Sequence, residues 1–300
     1  METPPAPPTG QARLIDKVVQ FPLSRILLGI LFVAVGVLAA QLVVALLQQT
    51  LGLRSPLPAP FVVLEVVVVV LATYLAYGVY VRLIERRPVT ELSGHGALRE
   101  LGLGVLGGAG LIAAVIGILW LLGDYHVTGT TSWTALLAPL AADVPSAVIQ
   151  QVVFQGIIFR ITEQSLGTWW ALLITVALFG LAHLLLIPHL TLTGLLAIVV
   201  GGLLFTAAYV RTRRLWLSTS LHATLDFTQD ALFGVGAYHL SGVAAQGLLS
   251  AQLTGPAALT GGAGGVEASV LTLVLVLAAA VFLLVGAGQH GQIALPSWRR

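Results

Sequence analysis

The sequence predicts an all-α, polytopic integral membrane protein built as one helical bundle of about eight transmembrane helices. Three observations carry this. The chain is 57% hydrophobic but only 9% charged, with a mean hydropathy of +0.98, whereas soluble domains carry about 25% charged residues. Its apolar residues gather into runs close to the roughly 20 residues that a bilayer-spanning helix needs. Its basic residues then fall on one side of the drawing those runs define.

The eight expected spans are Leu23–Leu47, Phe61–Val81, Leu101–Leu122, Ala135–Phe159, Thr168–Ile187, Thr193–Val210, Leu215–Val235 and Ala268–Ala287. With the amino terminus inside, thirteen of the fourteen basic residues lie on the cytoplasmic side and only Arg54 lies outside. Positive charge concentrates on cytoplasmic loops, so eight spans with both termini cytoplasmic fit the pattern. The expected location is a plasma membrane, in a bacterial cell. A net charge of +2 and a pI near 9.2 do not signal nucleic-acid binding, because the arginines are scattered at helix ends. Arg211, Arg213 and Arg214 are expected to meet anionic lipid head groups. Trp120, Trp133, Trp169, Trp170 and Trp216 are expected to be interface anchors.

Outside the spans, residues 1–20 form an expected disordered cytoplasmic tail, Pro-rich over Met1–Gly10, and residues 21–300 a single membrane domain. The tail lacks the basic start and apolar middle of a cleavable signal. Ile84–Glu100 mixes charge with Pro88, Val89, Leu92 and Leu98, as an interfacial amphipathic segment would. Gly236–Glu267 is long and glycine-rich, expected as a flexible connector, with a lid as the minor alternative. Gly104 and Gly108 form a small-x-x-x-small pair suited to close helix packing. His95, His126, His189, His239 and His290 sit in loops or at helix ends and are expected to be solvated or interfacial. With no cysteine in the chain, disulfides and thiolate metal sites are excluded.

Polar side chains inside spans are the informative exceptions, since hydrocarbon leaves them no water to bond. Gln150, Gln151 and Gln155 lie in the fourth span, Phe179 and His183 in the fifth, and His222 and Asp226 in the seventh. Residues four apart share a helix face. Gln151 and Gln155 are thus neighbours, as are Phe179 and His183, and His222 and Asp226. One cluster at the bundle centre would satisfy them all. Interhelical hydrogen-bond glue, worth about 0.6 kcal/mol per bond and at most about 2, is the plainer alternative.

The order of these segments resembles the CAAX prenyl protease and bacteriocin-processing (CPBP) family of intramembrane peptidases. Its motifs are Glu-Glu-x-x-x-Arg, Phe-x-x-x-His and His-x-x-x-Asn or Asp, on successive helices. Phe179/His183 and His222/Asp226 match the second and third, while Gln150, Gln151 and Gln155 stand at the Glu, Glu and Arg positions of the first. Flanking text also resembles family members: Glu85-Arg-Arg-Pro-Val-Thr-Glu-Leu92, Tyr209-Val-Arg-Thr-Arg-Arg-Leu-Trp216 and the Thr-Gly-Gly stretch before Glu267. The resemblance covers about residues 80–290, with a core at about 135–290. It implies hydrolysis of a peptide bond in a membrane-associated peptide or protein. Catalytic positions would be Gln150, Gln151, His183, His222 and Asp226, with Gln155 and Phe179 as binding positions.

The amides alter that chemistry. A general base must accept a proton near operating pH, which a carboxylate does and a neutral amide does not. General-base contributions are typically about 10²–10⁴-fold, so activity is expected to be impaired. The change is also charge-balanced, because a lone buried Arg at 155 would be costly without its carboxylates. One rescue is a relocated carboxylate: Asp226 and Asp143 are read as the carboxylates deep inside the spans. His183, His222 and Asp226 would then form a two-His, one-carboxylate set that could hold a divalent metal such as zinc. The other readings are a pseudo-peptidase that binds a membrane peptide or partner without cutting it, and, more weakly, a transporter or channel.

Overall fold

The computed structural model describes residues 16–188, 190–236 and 247–299. Most of the expected tail, with Arg13, His189, His239 and Arg300, lies outside the described residues. The remainder is an all-α polytopic membrane protein. Among the described residues six helices are long and apolar enough to cross a membrane, and one of them, Trp133–Leu186, runs for 54 residues. It is two of the expected spans in one: Gly167 breaks it with a φ of 76° and a ψ of 170°.

The helices are α1 (Pro22–Thr50), α2 (Ala59–Leu83), α3 (Ala97–Leu122), α4 (Leu137–Gln151), α5 (Arg160–Leu186), α6 (Leu192–Thr212), α7 (Leu215–Phe227) and α8 (Val270–Gln289). Proline starts α1 and lies just before α2, where a missing N–H costs nothing. At 29 residues α1 spans about 44 Å, enough to cross the bilayer's hydrocarbon. Its Leu27, Leu31, Val35, Leu38 and Leu42 stay exposed, as a lipid-facing surface requires.

Two expected spans are not plain α-helices. α4 passes into a π-helical stretch, Val152–Phe159, before α5 begins, and α7 ends in another, Thr228–Leu232. Such segments occur frequently at functional sites. At the first, the Gly156 carbonyl accepts from the Tyr77 hydroxyl at 3.1 Å and from Arg160 Nε at 2.9 Å. α7 with its π turn is shorter than the other spans and largely buried. It packs most extensively on α3, and glycines make this possible. A Cβ added at Gly104 would lie 1.9 Å from Ser220 Oγ, and one at Gly108 2.6 Å from the Leu221 carbonyl oxygen. The expected small-residue packing is therefore the seat of the helix that carries His222 and Asp226.

A two-stranded antiparallel sheet was not expected. Tyr125–Thr130 (β1) pairs with Leu249–Leu253 (β2), so the described part of the 236–267 connector is partly ordered structure. At the opposite end, the 84–100 segment is less an amphipathic surface element than a charged clasp. Glu85 pairs with Arg25, Arg87 and Arg160, Glu91 with Arg87 and Arg160, Glu100 with Arg214 and Glu163 with Arg213. Burial alone would raise the Glu85 pKa, but the Arg160, Arg25 and Arg87 guanidiniums outweigh it and hold it at about 2. Arg213 and Arg214 thus have protein partners rather than only lipid. Trp216 is likewise turned inward: its indole N–H donates to the Ser93 carbonyl at 2.8 Å and its ring lies 5.5 Å from Tyr74. Trp120, Trp133, Trp169 and Trp170 remain exposed.

Candidate active site

Beside α7, between α4, α5 and α6, lies a cavity of about 160 Å³. Gln150, Phe179, His183, His222 and Asp226 all line it, so the structure brings five of the expected residues to one wall. Gln151 stands directly behind. Its side-chain nitrogen is 2.9 Å from His222 Nδ1, and His222 Nε2 is 3.2 Å from Asp226 Oδ2.

The direction of this relay follows from what each group can offer. A carboxylate only accepts, so the neutral imidazole carries its proton on Nε2 and gives it to Asp226. His222 Nδ1 is then an acceptor for the Gln151 amide N–H. Turning the amide around would put a carbonyl oxygen against an unprotonated nitrogen, or else require a charged imidazolium. Both His222 nitrogens are thereby committed. Phe205 covers the ring face, with centroids 4.0 Å apart and 19° between planes.

His183 differs. Its Nδ1 lies 2.8 Å from the Phe179 carbonyl oxygen, an acceptor, so Nδ1 carries the proton and Nε2 keeps its lone pair. Phe179 packs on the His183 ring at 4.4 Å and on His222 at 6.3 Å. Gly202 leaves room for it: a Cβ there would lie 2.9 Å from the Phe179 ring.

One expectation is corrected by this geometry. The six polar residues do not form one cluster, because Gln155 donates to Thr206 at 3.1 Å and stands apart from the cavity. His183, His222 and Asp226 are engaged with protein groups as placed. Among the described residues no group of three His, Asp or Glu side chains is arranged to hold an ion. The reason is local: His222 spends its nitrogens on Gln151 and Asp226, and the Phe179 ring packs against both imidazoles.

The cavity also holds residues to which the sequence reading gave no role. Gln229, Asp230, Glu267 and Phe205 line it beside Asp143. Asp230 is 2% exposed, so the seventh span contains a second deep carboxylate besides Asp226. The signal was present, since Asp230 follows Asp226 by four residues. Glu267 could not have been placed this way, because it arrives from a distant loop.

Residues 131–228 match the family model of Rce1-like proteins, type II CAAX prenyl endopeptidases. The chain is similar to that family over this stretch, about a third of its length. The match contains all seven expected site residues and ends two residues after Asp226; the expected core extends further, to about 290. No curated protein and no solved structure matches the chain. Within the matched stretch, Phe179/His183 and His222/Asp226 are assembled on one cavity, and Gln150 and Gln151 stand at its edge and behind it.

Proposed function

We propose that this protein is an intramembrane peptidase that hydrolyses a membrane-associated peptide slowly, using His183 as its base. The observation that carries the reading is the difference between the two imidazoles. His183 offers a lone pair at Nε2 in the cavity, whereas both His222 nitrogens are engaged. A water beside His183 would give its proton to Nε2 while its oxygen adds to the scissile carbonyl carbon. The Gln150 amide donates one N–H to Ser146 at 2.8 Å and has a second to offer the developing oxyanion. His183 then returns the proton to the leaving nitrogen as the C–N bond breaks. The Gln151–His222–Asp226 relay holds Asp226 at the wall, where its charge stabilises the imidazolium that forms on His183.

Attenuation follows from the same residues. Gln150 and Gln151 cannot take a proton, so the site works without the carboxylates of the family pattern and the rate should fall short by at most the roughly 10²–10⁴-fold that a general base contributes. Binding without hydrolysis is the second reading. It is favoured by Gln151 and Gln155, both fully buried, whose amide nitrogens are held by His222 and Thr206, a neutral arrangement with no group in the first motif able to take a proton. The test is cleavage of a membrane-peptide library in liposomes by wild type, His183→Ala and His222→Ala. Slow cleavage abolished by His183→Ala supports the peptidase. Peptide retention without any cleavage by wild type supports the binding reading and sinks the first.

A further inference from the structure

We infer that Phe205 and Thr206, neighbours on α6, are positioning residues that hold the three site-bearing helices in register. They act through His222 and through the stretch that follows Gln151. The inference therefore rests on the relay of the proposed hydrolysis and adds what keeps that relay aligned.

The expected site residues come from α4 with its π-helical stretch, from α5 and from α7; none comes from α6. Yet one turn of α6 touches all three. Gly202 makes the space that the Phe179 ring fills. Phe205, 3% exposed, stacks on His222 at 4.0 Å and meets Phe179 edge-on at 6.4 Å. Thr206, fully buried, accepts from the Gln155 amide at 3.1 Å. Successive helix residues point about 100° apart, so two neighbours can serve two helices. Phe205 serves α7 and Thr206 serves the π-helical stretch.

Each contact fixes something that the relay's own hydrogen bonds leave loose. Gln151 and Asp226 hold His222 by its two nitrogens, within the plane of the ring. The ring can still swing about the line that joins those partners. A flat aromatic face laid against the imidazole stops the swing, and an aliphatic side chain would not. Thr206 works on the other side of the relay. Its hydroxyl donates to the Gly202 carbonyl at 2.7 Å, so its oxygen is left to accept. That makes Gln155 the donor and fixes the orientation of its amide. Such bonds tie one membrane helix to another. Gln155 follows Gln151 by four residues, so this bond anchors the stretch that begins directly after the relay's first member. A slip of that stretch against α6 would draw the Gln151 amide away from His222 Nδ1.

The test reads His222 directly. Nitrogen NMR of isotope-labelled histidine in nanodiscs reports which ring nitrogen carries the proton. The His222 signals are those, among seven histidines, that vanish in His222→Gln. Wild type should show a single tautomer at His222. Phe205→Leu and Thr206→Val should mix the two tautomers there and lower kcat about tenfold or more, with KM little changed. Phe205→Tyr and Thr206→Ser, which keep the flat face and the hydroxyl, should restore the single tautomer and most of the rate. A role in core packing alone would lower Tm and leave the tautomer unmoved; that result in both Phe205→Leu and Thr206→Val overturns the inference. Should Phe205→Leu fail to fold, the isosteric Thr206→Val decides by the same readout. A tautomer that depends on both residues in a wild-type protein that cleaves nothing would keep the inference and discard the peptidase.

Discussion

At the arginine rim, Glu85 lies under three guanidiniums and accepts from each; in the cavity, charge gives way to two imidazoles, His222 held by Gln151 and Asp226 and His183 by the Phe179 carbonyl. Both places remove charge from water, which is expensive. The rim answers with partners from four separate segments, the starts of α1 and α5, the 84–100 clasp and the α6–α7 junction, and so fastens the helices together. The cavity keeps acceptors without donors, such as the Gln229 oxygen. The difference separates residues that hold the bundle from residues that line the cavity, and it can be attacked from either side.

The largest expected effect is at the rim. Glu85→Ala leaves Arg25, Arg87 and Arg160 crowded without their shared anion, and breaking a buried ion pair in this way costs about 3–5 kcal/mol. Thermal unfolding in detergent should show a large fall in Tm. An unchanged Tm would mean that the clasp is not structural. Next comes the seat of α7. Gly108→Leu forces a side chain onto the Leu221 carbonyl and Leu225, an overpacking of about 1–3 kcal/mol or more, and should lower Tm and activity together.

A smaller stability effect is expected at the relay. Gln151→Leu leaves His222 Nδ1 without its donor, at about 1–3 kcal/mol. Its signature is in activity rather than Tm, because His222 and with it Asp226 lose their orientation. If Gln151→Leu cleaved like wild type, the relay would have no part in catalysis.

The mildest test is pH. The Glu85 pKa is lowered from 4.5 to about 2, so its contribution is present above about 4.5 and is lost as pH falls towards 2. Wild-type Tm should decline across that window more steeply than that of Glu85→Gln. Parallel curves would show that Glu85 is not linked to folding.

Much of the fold was legible because hydrocarbon imposes few solutions: the apolar helices and the glycine pair followed from composition and spacing. The site was legible where four-residue spacing places side chains on one helix face, as with Phe179 and His183 or His222 and Asp226. It failed where local geometry departs from that period or where the chain returns from afar. Gln155 turns to Thr206 within a π-helical stretch that no hydrophobic pattern announces. Glu267 reaches the cavity, and β2 reaches β1, through long-range packing that no local periodicity encodes. Rim pairing was missed for the same reason: the basic residues were read as a topology signal, and their acidic partners lie between about 50 and 115 positions away in sequence for Arg25, Arg160, Arg213 and Arg214.

The central claim is that the amides limit the rate while the fold and the cavity remain competent. Its most direct test compares peptide cleavage by wild type with a Gln150→Glu, Gln151→Glu, Gln155→Arg triple variant of similar Tm. The account predicts slow, His183-dependent cleavage by wild type and a gain of about 10²–10⁴-fold in the triple variant. Equal rates in the two proteins, or wild-type cleavage that survives His183→Ala, would contradict it.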